Sequence, residues 1–303
     1  SHIRFGHFEH FYHKGQTDEV RVLANYVIDN HFPDLKTDSD KYFLWFKEVV
    51  KLTAKLIASW QSAGFAHGVM NTDNMSILGL TLDYGPFGFL EQFQPEFICN
   101  HSDEMGRYAF NQQPQIALWN LNMLAFTLQP LFSFEDAKIA LNDYQEILVN
   151  EYSDLMALKL GIQERKEKDV ELWKSLFPLM KKHKSDYTNT FRTLSRASEA
   201  NKDDFLLLFN NDLDMQRWLE VYLERVSGIS NRKEIMLLVN PKYILRNWVA
   251  EKVIRAVEDK DDYVFFDKVF HVLKAPFDEH EEFEELAALA PEEYQHLSVS
   301  CSS

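Results

Sequence analysis

HGVMNTDN at residues 67–74 and LDYG at residues 82–85 are the stretch on which the reading of this sequence turns. Asp73 and Asn74 sit side by side, and Asp83 follows nine residues after Asn74. A carboxylate and an amide are the oxygen ligands that hard divalent cations take. Upstream, Thr37-Asp38-Ser39-Asp40 offers N-cap residues to a helix whose Leu44, Phe46, Val49, Val50, Thr53, Ile57 and Trp60 share one stripe, and which ends at Gly64. Downstream, the apolar run Ile77–Leu82 reads as a short buried strand, and Asp83-Tyr84-Gly85-Pro86 turns the chain after it. Taken singly, Asp73, Asn74 and Asp83 read equally well as turn formers, because Asn and Asp favour turns. Gathered around one short strand, they favour a metal site.

Working outward, residues 2–12 alternate imperfectly and are rich in Phe and His, which predicts a short strand or a connection. A helix is expected at about 16–31. Residues 86–114 collect Gly and Pro and read as a long irregular segment. Beyond it, amphipathic spacing predicts helices near 115–128, 133–163, 168–182, 184–198, 202–209, 212–226, 231–238 and 241–258. The acidic stretch 277–294 reads as a solvated helix and loop before a polar tail.

Composition narrows the class. With 46% apolar residues over 303 positions, the chain buries one large core or two modest ones, and only 10 Gly and 9 Pro among them point to a mainly helical fold. The formal charge of −15 repels a phosphate backbone, so nucleic acid is not the expected partner. No apolar run is long enough to span a bilayer, so no membrane partner is expected. The two cysteines, Cys99 and Cys301, form neither a disulfide scaffold nor a zinc-binding CxxC pair. The chain opens on Ser1 without an initiator Met and enters an aromatic-rich run, from which an N-terminal part lost from this chain is expected.

The spacing from His67 to Asn74 is that of a protein-kinase catalytic loop, H-R-D-x-x-x-x-N, with Asp83-Tyr84-Gly85 in place of the metal-binding turn. The kinase base position, two after the His, is Val69, which cannot accept a proton. Asp73 is the nearest replacement. His67 reads as a residue that braces the loop rather than a catalyst. The segment 67–125 beginning HGVMNTDNMSILGLTLDYGPFG, together with IRFGHFEHF at 3–11, NPKYILRNW at 240–248 and the terminal SCSS, resembles the selenoprotein O (SelO/YdiU) family along the whole chain.

That resemblance implies a kinase-like fold that transfers AMP from ATP to Ser, Thr or Tyr hydroxyls of proteins, with UMP transfer supported by manganese as a variant. It implies Asp73 as the proton acceptor, Asn74 and Asp83 as magnesium ligands, and Arg4 as a contact to the nucleotide phosphates, a role suited to a guanidinium fork. The family's glycine-rich loop and its Lys–Glu pair belong upstream, so these residues alone are expected to be inactive. Cys301 resembles a redox-active tail residue, and a redox disulfide with Cys99 would restrain the segment after Asp83; two unpaired thiols are the alternative.

The expected architecture is mainly α, with a kinase-like C-lobe over 1–132, few short strands, and a helical extension over 133–303. ATP and Mg2+ are the expected cofactors, protein substrates the partners, and a monomer in the bacterial cytoplasm the expected state, with a mitochondrial place if the source is eukaryotic. Two other readings remain: a conventional protein kinase, and a non-catalytic helical interaction module.

Overall fold

The computed structural model describes residues 2–294, Leu297 and Val299, and the chain it shows is mainly helical. Helices α1 (Phe5–His13), α2 (Thr17–His31) and α3 (Lys41–Ala63) come first. Strands β1 (Phe65–Ala66) and β2 (Gly88–Phe89) then pair antiparallel, Phe65 opposite Phe89 and Ala66 opposite Gly88. Helices α4 (Gln113–Thr127) and α5 (Phe134–Lys159) complete the part that carries the loop 67–74. Seven further helices follow: α6 (Val170–His183), α7 (Tyr187–Leu194), α8 (Asp203–Leu207), α9 (Leu213–Val226), α10 (Arg232–Val239), α11 (Asn247–Lys260) and α12 (Tyr263–Lys274).

Helical spacing explains the first core. Val20, Ala24, Val27 and Ile28 bury one face of α2, and Trp45, Phe46, Val49, Val50, Ala54 and Ile57 bury a face of α3. They meet Leu121 and Leu124 of α4 and Ala137, Ala140 and Tyr144 of α5. Ion pairs Lys47–Asp143 and Lys55–Glu151 line the exposed seam between α3 and α5. Ser133 caps α5 by accepting from the amide of Asp136. The far end of α5 gives Met156 and Ala157 to a second core built with α6, α7, α9 and α10. A third, smaller cluster joins α11, α12, Leu286 and Ala287.

Several expectations change. Residues 5–13 are helix, not strand: Phe5 and Phe8 fall three apart and bury together, which makes their spacing helical rather than alternating. What survives of extended pairing there is the Arg4–Ser76 bridge, with Phe5 N donating to Met75 O. The run 77–82 is no strand either. Gly79 turns the chain at φ +63°, and Met75 pairs with Thr81 across that turn. A Cβ at Gly79 would lie 2.8 Å from Leu52 O, so the turn rests directly on α3. Residues 241–246 precede α11 outside any helix or strand, ending on Arg246 as N-cap, and α12 lies where no helix was expected.

The remaining helices start and end within four residues of the expected bounds, although Asp40 stands before α3 without a side-chain cap bond. Gly64 ends α3 in the left-handed conformation at φ +71°, and a Cβ there would strike the Tyr187 ring at 2.7 Å. Among the described residues, no helix is long and apolar enough to cross a membrane.

Candidate active site

Loop 67–74 is held by hydrogen bonds from three sides, two of them to its backbone. From α4, Gln113 Nε2 donates to Phe65 O at 2.9 Å while its Oε1 accepts from His67 N at 2.9 Å. Asn120, two turns on, donates to Met70 O at 2.8 Å. From the segment after β2, Asn100 Nδ2 donates to Gly68 O at 3.2 Å. Gly68 has φ +82°, and a Cβ there would meet Pro86 O at 2.5 Å and Cys99 Sγ at 2.8 Å, so only glycine lets these pieces close up. From α1, Glu9 accepts from Thr72 Oγ1 at 2.7 Å.

His67 is the brace the sequence suggests. It is buried, its Nε2 lies 2.7 Å from Leu82 O, and its Nδ1 faces Val69 N at 3.4 Å. An acceptor at Nδ1 places the proton on Nε2, which donates to Leu82. Burial holds its pKa below the usual value, against the opposing pull of the Leu82 carbonyl and Asp83, so the ring is neutral at neutral pH. One imidazole thereby ties the loop to the residue before Asp83.

Four predicted site residues converge. Arg4 Nη1 donates to Asp73 O at 2.8 Å and lies 3.5 Å from Asn74 Oδ1 and 3.4 Å from Asp83 Oδ2. Asn74 is oriented by its own Nδ2, which donates to Val69 O at 3.0 Å and so turns Oδ1 outward. Asp83 takes φ +60°, a left-handed conformation that Asp tolerates better than most residues. The Asp73 carboxylate rests on Gly6 of α1, where a Cβ would lie 1.9 Å from Oδ1.

The donor set fits a divalent cation. Asn74 Oδ1 and Asp83 Oδ2 face one point, and a positively charged guanidinium nitrogen stands there. Among the described residues no three His, Cys, Asp or Glu side chains gather into a metal-holding group. Two protein oxygens are what Mg2+ commonly takes when phosphates and water complete its shell.

Cys99 is buried, with Sγ 3.4 Å from Ala66 O beneath the loop. Cys301 lies outside the described residues. The tail does reach this region, since His101 N donates to Val299 O at 2.9 Å. Gly6, Glu9, Asn100, Gln113 and Asn120 went unnoticed in the sequence. The available signal was the seven-residue spacing of Gln113 and Asn120, which puts two amides on one face of an apolar helix.

The family described as protein adenylyltransferase SelO matches residues 1–274. The chain is 46% identical over 336 residues to the protein nucleotidyltransferase YdiU of Photobacterium profundum, covering 100% of this chain and 65% of that protein. It is 44% identical over 312 residues to the YdiU of an Enterobacter species, covering 100% of this chain and 64% of the relative. The same name belongs to a Yersinia pestis relative 46% identical over 312 residues, with 100% and 63% covered. These likenesses fall in one class, proteins named as nucleotidyltransferases. Within that class, the chain belongs to the SelO family. It spans somewhat less than two thirds of the length of these relatives.

Proposed function

We propose that the protein to which this chain belongs is a protein adenylyltransferase, moving AMP from ATP to Ser, Thr or Tyr hydroxyls of other proteins. The observation that carries this reading is the meeting of Asp73, Asn74 and Asp83 around Arg4. Asn74 and Asp83 would hold Mg2+, which supplies positive charge to the phosphate oxygens when bound. Arg4 would exchange its present partners for the nucleotide phosphates, where its fork makes paired hydrogen bonds. Asp73 takes the proton of the acceptor hydroxyl. The hydroxyl oxygen forms a bond to the α-phosphorus, the bond from that phosphorus to the oxygen bridging to the β-phosphate breaks, and pyrophosphate leaves.

Val69 favours this reading over a conventional kinase, because the residue two after His67 has no proton acceptor. The loop and turn in a mainly helical chain support a kinase-like C-lobe over 1–132, with 133–303 as its extension. Transfer of UMP with manganese is carried as a variant of the same chemistry. The bacterial relatives support a bacterial source, and a cytoplasmic place is carried with this reading. A redox disulfide between Cys99 and Cys301 is carried with this reading; in the chain each cysteine is two residues from the hydrogen bond His101 N makes to Val299 O.

The proposal concerns a protein of the relatives' full length, and the 303 residues alone are expected to transfer little. The test is label transfer from ATP to protein by the full-length form with Mg2+. Retention of α-label, lost in both Asp73→Ala and Asp83→Ala, is expected. Retention of γ-label instead would make the protein a kinase, and no transfer by a folded, ATP-binding protein would favour an interaction module.

A further inference from the structure

We propose that Gln113 and Asn120 are positioning residues for nucleotidyl transfer, a pair of buried amides by which α4 sets the spacing and orientation of the loop that carries Asp73 and Asn74. The inference rests on the function proposed above. It begins with an open strand edge. Among the described residues strand β1 pairs with β2 on one side only, through Phe65 and Ala66. On its other side the buried Phe65 carbonyl and His67 amide meet no second strand; both are taken by the one side chain of Gln113, which is itself fully buried. A primary amide holds a donor and an acceptor at nearly the spacing of a peptide group, so Gln113 stands in for a strand residue. Glutamate has the same shape and no donor, and it would set a carboxylate oxygen against the Phe65 carbonyl. Leucine would leave both backbone groups without a partner.

Asn120 repeats the device further along. Its Nδ2 grips Met70 O, and it too is fully buried. Its Oδ1 has no partner among the described residues, so this side chain is retained for its donor at the expense of a buried acceptor. Seven residues of helix separate the two amides by about 10 Å along the axis. From Ala66, between the two groups Gln113 holds, to Met70 is four residues, which span at most about 14 Å when fully extended. The helix therefore fixes how taut the stretch 66–70 is drawn. Asn74 is in turn tied to Val69 O inside that stretch, so the amide oxygen offered to the cation inherits its place from α4.

The test uses the full-length protein with two isosteric or nearly isosteric changes, Gln113→Glu and Asn120→Leu. Each is expected to lower kcat for transfer of α-label by roughly 10²-fold, the scale of a misplacement near 1 Å, while KM for ATP changes less than threefold. A residue that acts through Asn74 leaves a signature that a merely structural one does not. Placed on an Asn74→Ala background, Gln113→Glu should cost the residual rate less than twofold, because the group it positions has gone. Amide exchange gives a readout independent of catalysis: His67 N–H should exchange at least tenfold faster in Gln113→Leu, which removes its acceptor, with α3 and α5 amides unchanged. Unaltered protection at His67, a full rate in both variants, or rate losses that multiply with Asn74→Ala would overturn the positioning role. If the wild-type protein transfers no label, the adenylyltransferase reading falls, and the positioning role falls with it even where the exchange result shows that Gln113 holds the loop.

Discussion

Replacing Gly6 by alanine separates catalysis from stability in a way the geometry makes quantitative. A methyl group at Gly6 would lie 1.9 Å from Asp73 Oδ1, 3.0 Å from Cγ and 3.3 Å from the Asp73 Cα. To reach ordinary van der Waals contact the oxygen must retreat by about 1.5 Å. The backbone of Asp73 cannot carry all of that movement, because its carbonyl is held by Arg4 and its neighbour Thr72 by Glu9. The carboxylate must therefore rotate away from the hydroxyl it is proposed to deprotonate, and a displacement of that size costs roughly 10²-fold in rate. Meanwhile Gly6 lies inside α1 at an ordinary helical φ, where alanine improves helix formation by up to about 1 kcal/mol. The expected result is transfer of α-label by the full-length Gly6→Ala protein lowered about 10²-fold, with Tm unchanged or slightly raised. Gly228, which has nothing within 4 Å of an added Cβ, supplies the control substitution, expected to leave the rate unchanged. A full rate in Gly6→Ala, or a rate loss matched by a fall in Tm, would refute the seating of Asp73 on Gly6.

Other consequences concern charge and burial. Asp83→Asn keeps a residue that tolerates φ +60° but removes the carboxylate, so Tm should hold while Mn2+ affinity, read by titration calorimetry, falls at least tenfold. Lys159 is buried against the rings of Tyr187 and Phe191, and burial lowers its pKa to about 7 from 10.5. The unfolded chain therefore binds the proton more tightly between these values, and the penalty for burying the charge is full below pH 7 and relieved as pH rises towards 10.5. Lys159→Met should exceed wild type in urea stability by on the order of 4 kcal/mol at pH 6, a margin that shrinks towards pH 10; a pH-independent difference would contradict this. For His67, whose folded pKa is lowered, stability is fully present above the unfolded value of 6.5 and declines as pH falls from there through the folded value, which a urea series on wild type and His67→Gln would detect. Arg246 is fully buried between Glu91 at 2.7 Å and Asp186 at 2.8 Å, so Arg246→Met should cost about 3–5 kcal/mol. That loss should be smaller at pH 5, since burial already raises the pKa of both carboxyls and they would take up protons once the cation is gone.

Local patterns carried much of the fold into view. Helices α2 to α10 fall within four residues of the stretches where apolar spacing placed them, and Gly64 ends α3 because the next turn needs a left-handed residue. Of the residues that meet at the candidate site, Asp73, Asn74 and Asp83 were legible in the sequence, because carboxylates and an amide are the side chains that the proposed metal and proton chemistry would use. Arg4 came from the family resemblance alone. The errors share one cause: short segments take their state from what they pack against. Phe5 and Phe8 became helical by burying against the first core, and 77–82 gave up strand geometry for a turn seated on Leu52. Arg4, Gly6 and Gln113 lie 69, 67 and 40 residues from Asp73 in the chain, and no periodicity links such positions. By itself the sequence determined helices α2 to α10, the end of α3 at Gly64 and the chemical types at the loop, since those depend on neighbours within a few residues. Only the tertiary structure decided that α1 and α4 would seat that loop and that Arg4 would stand where its oxygens meet, because packing and buried hydrogen bonds join residues that the chain keeps far apart.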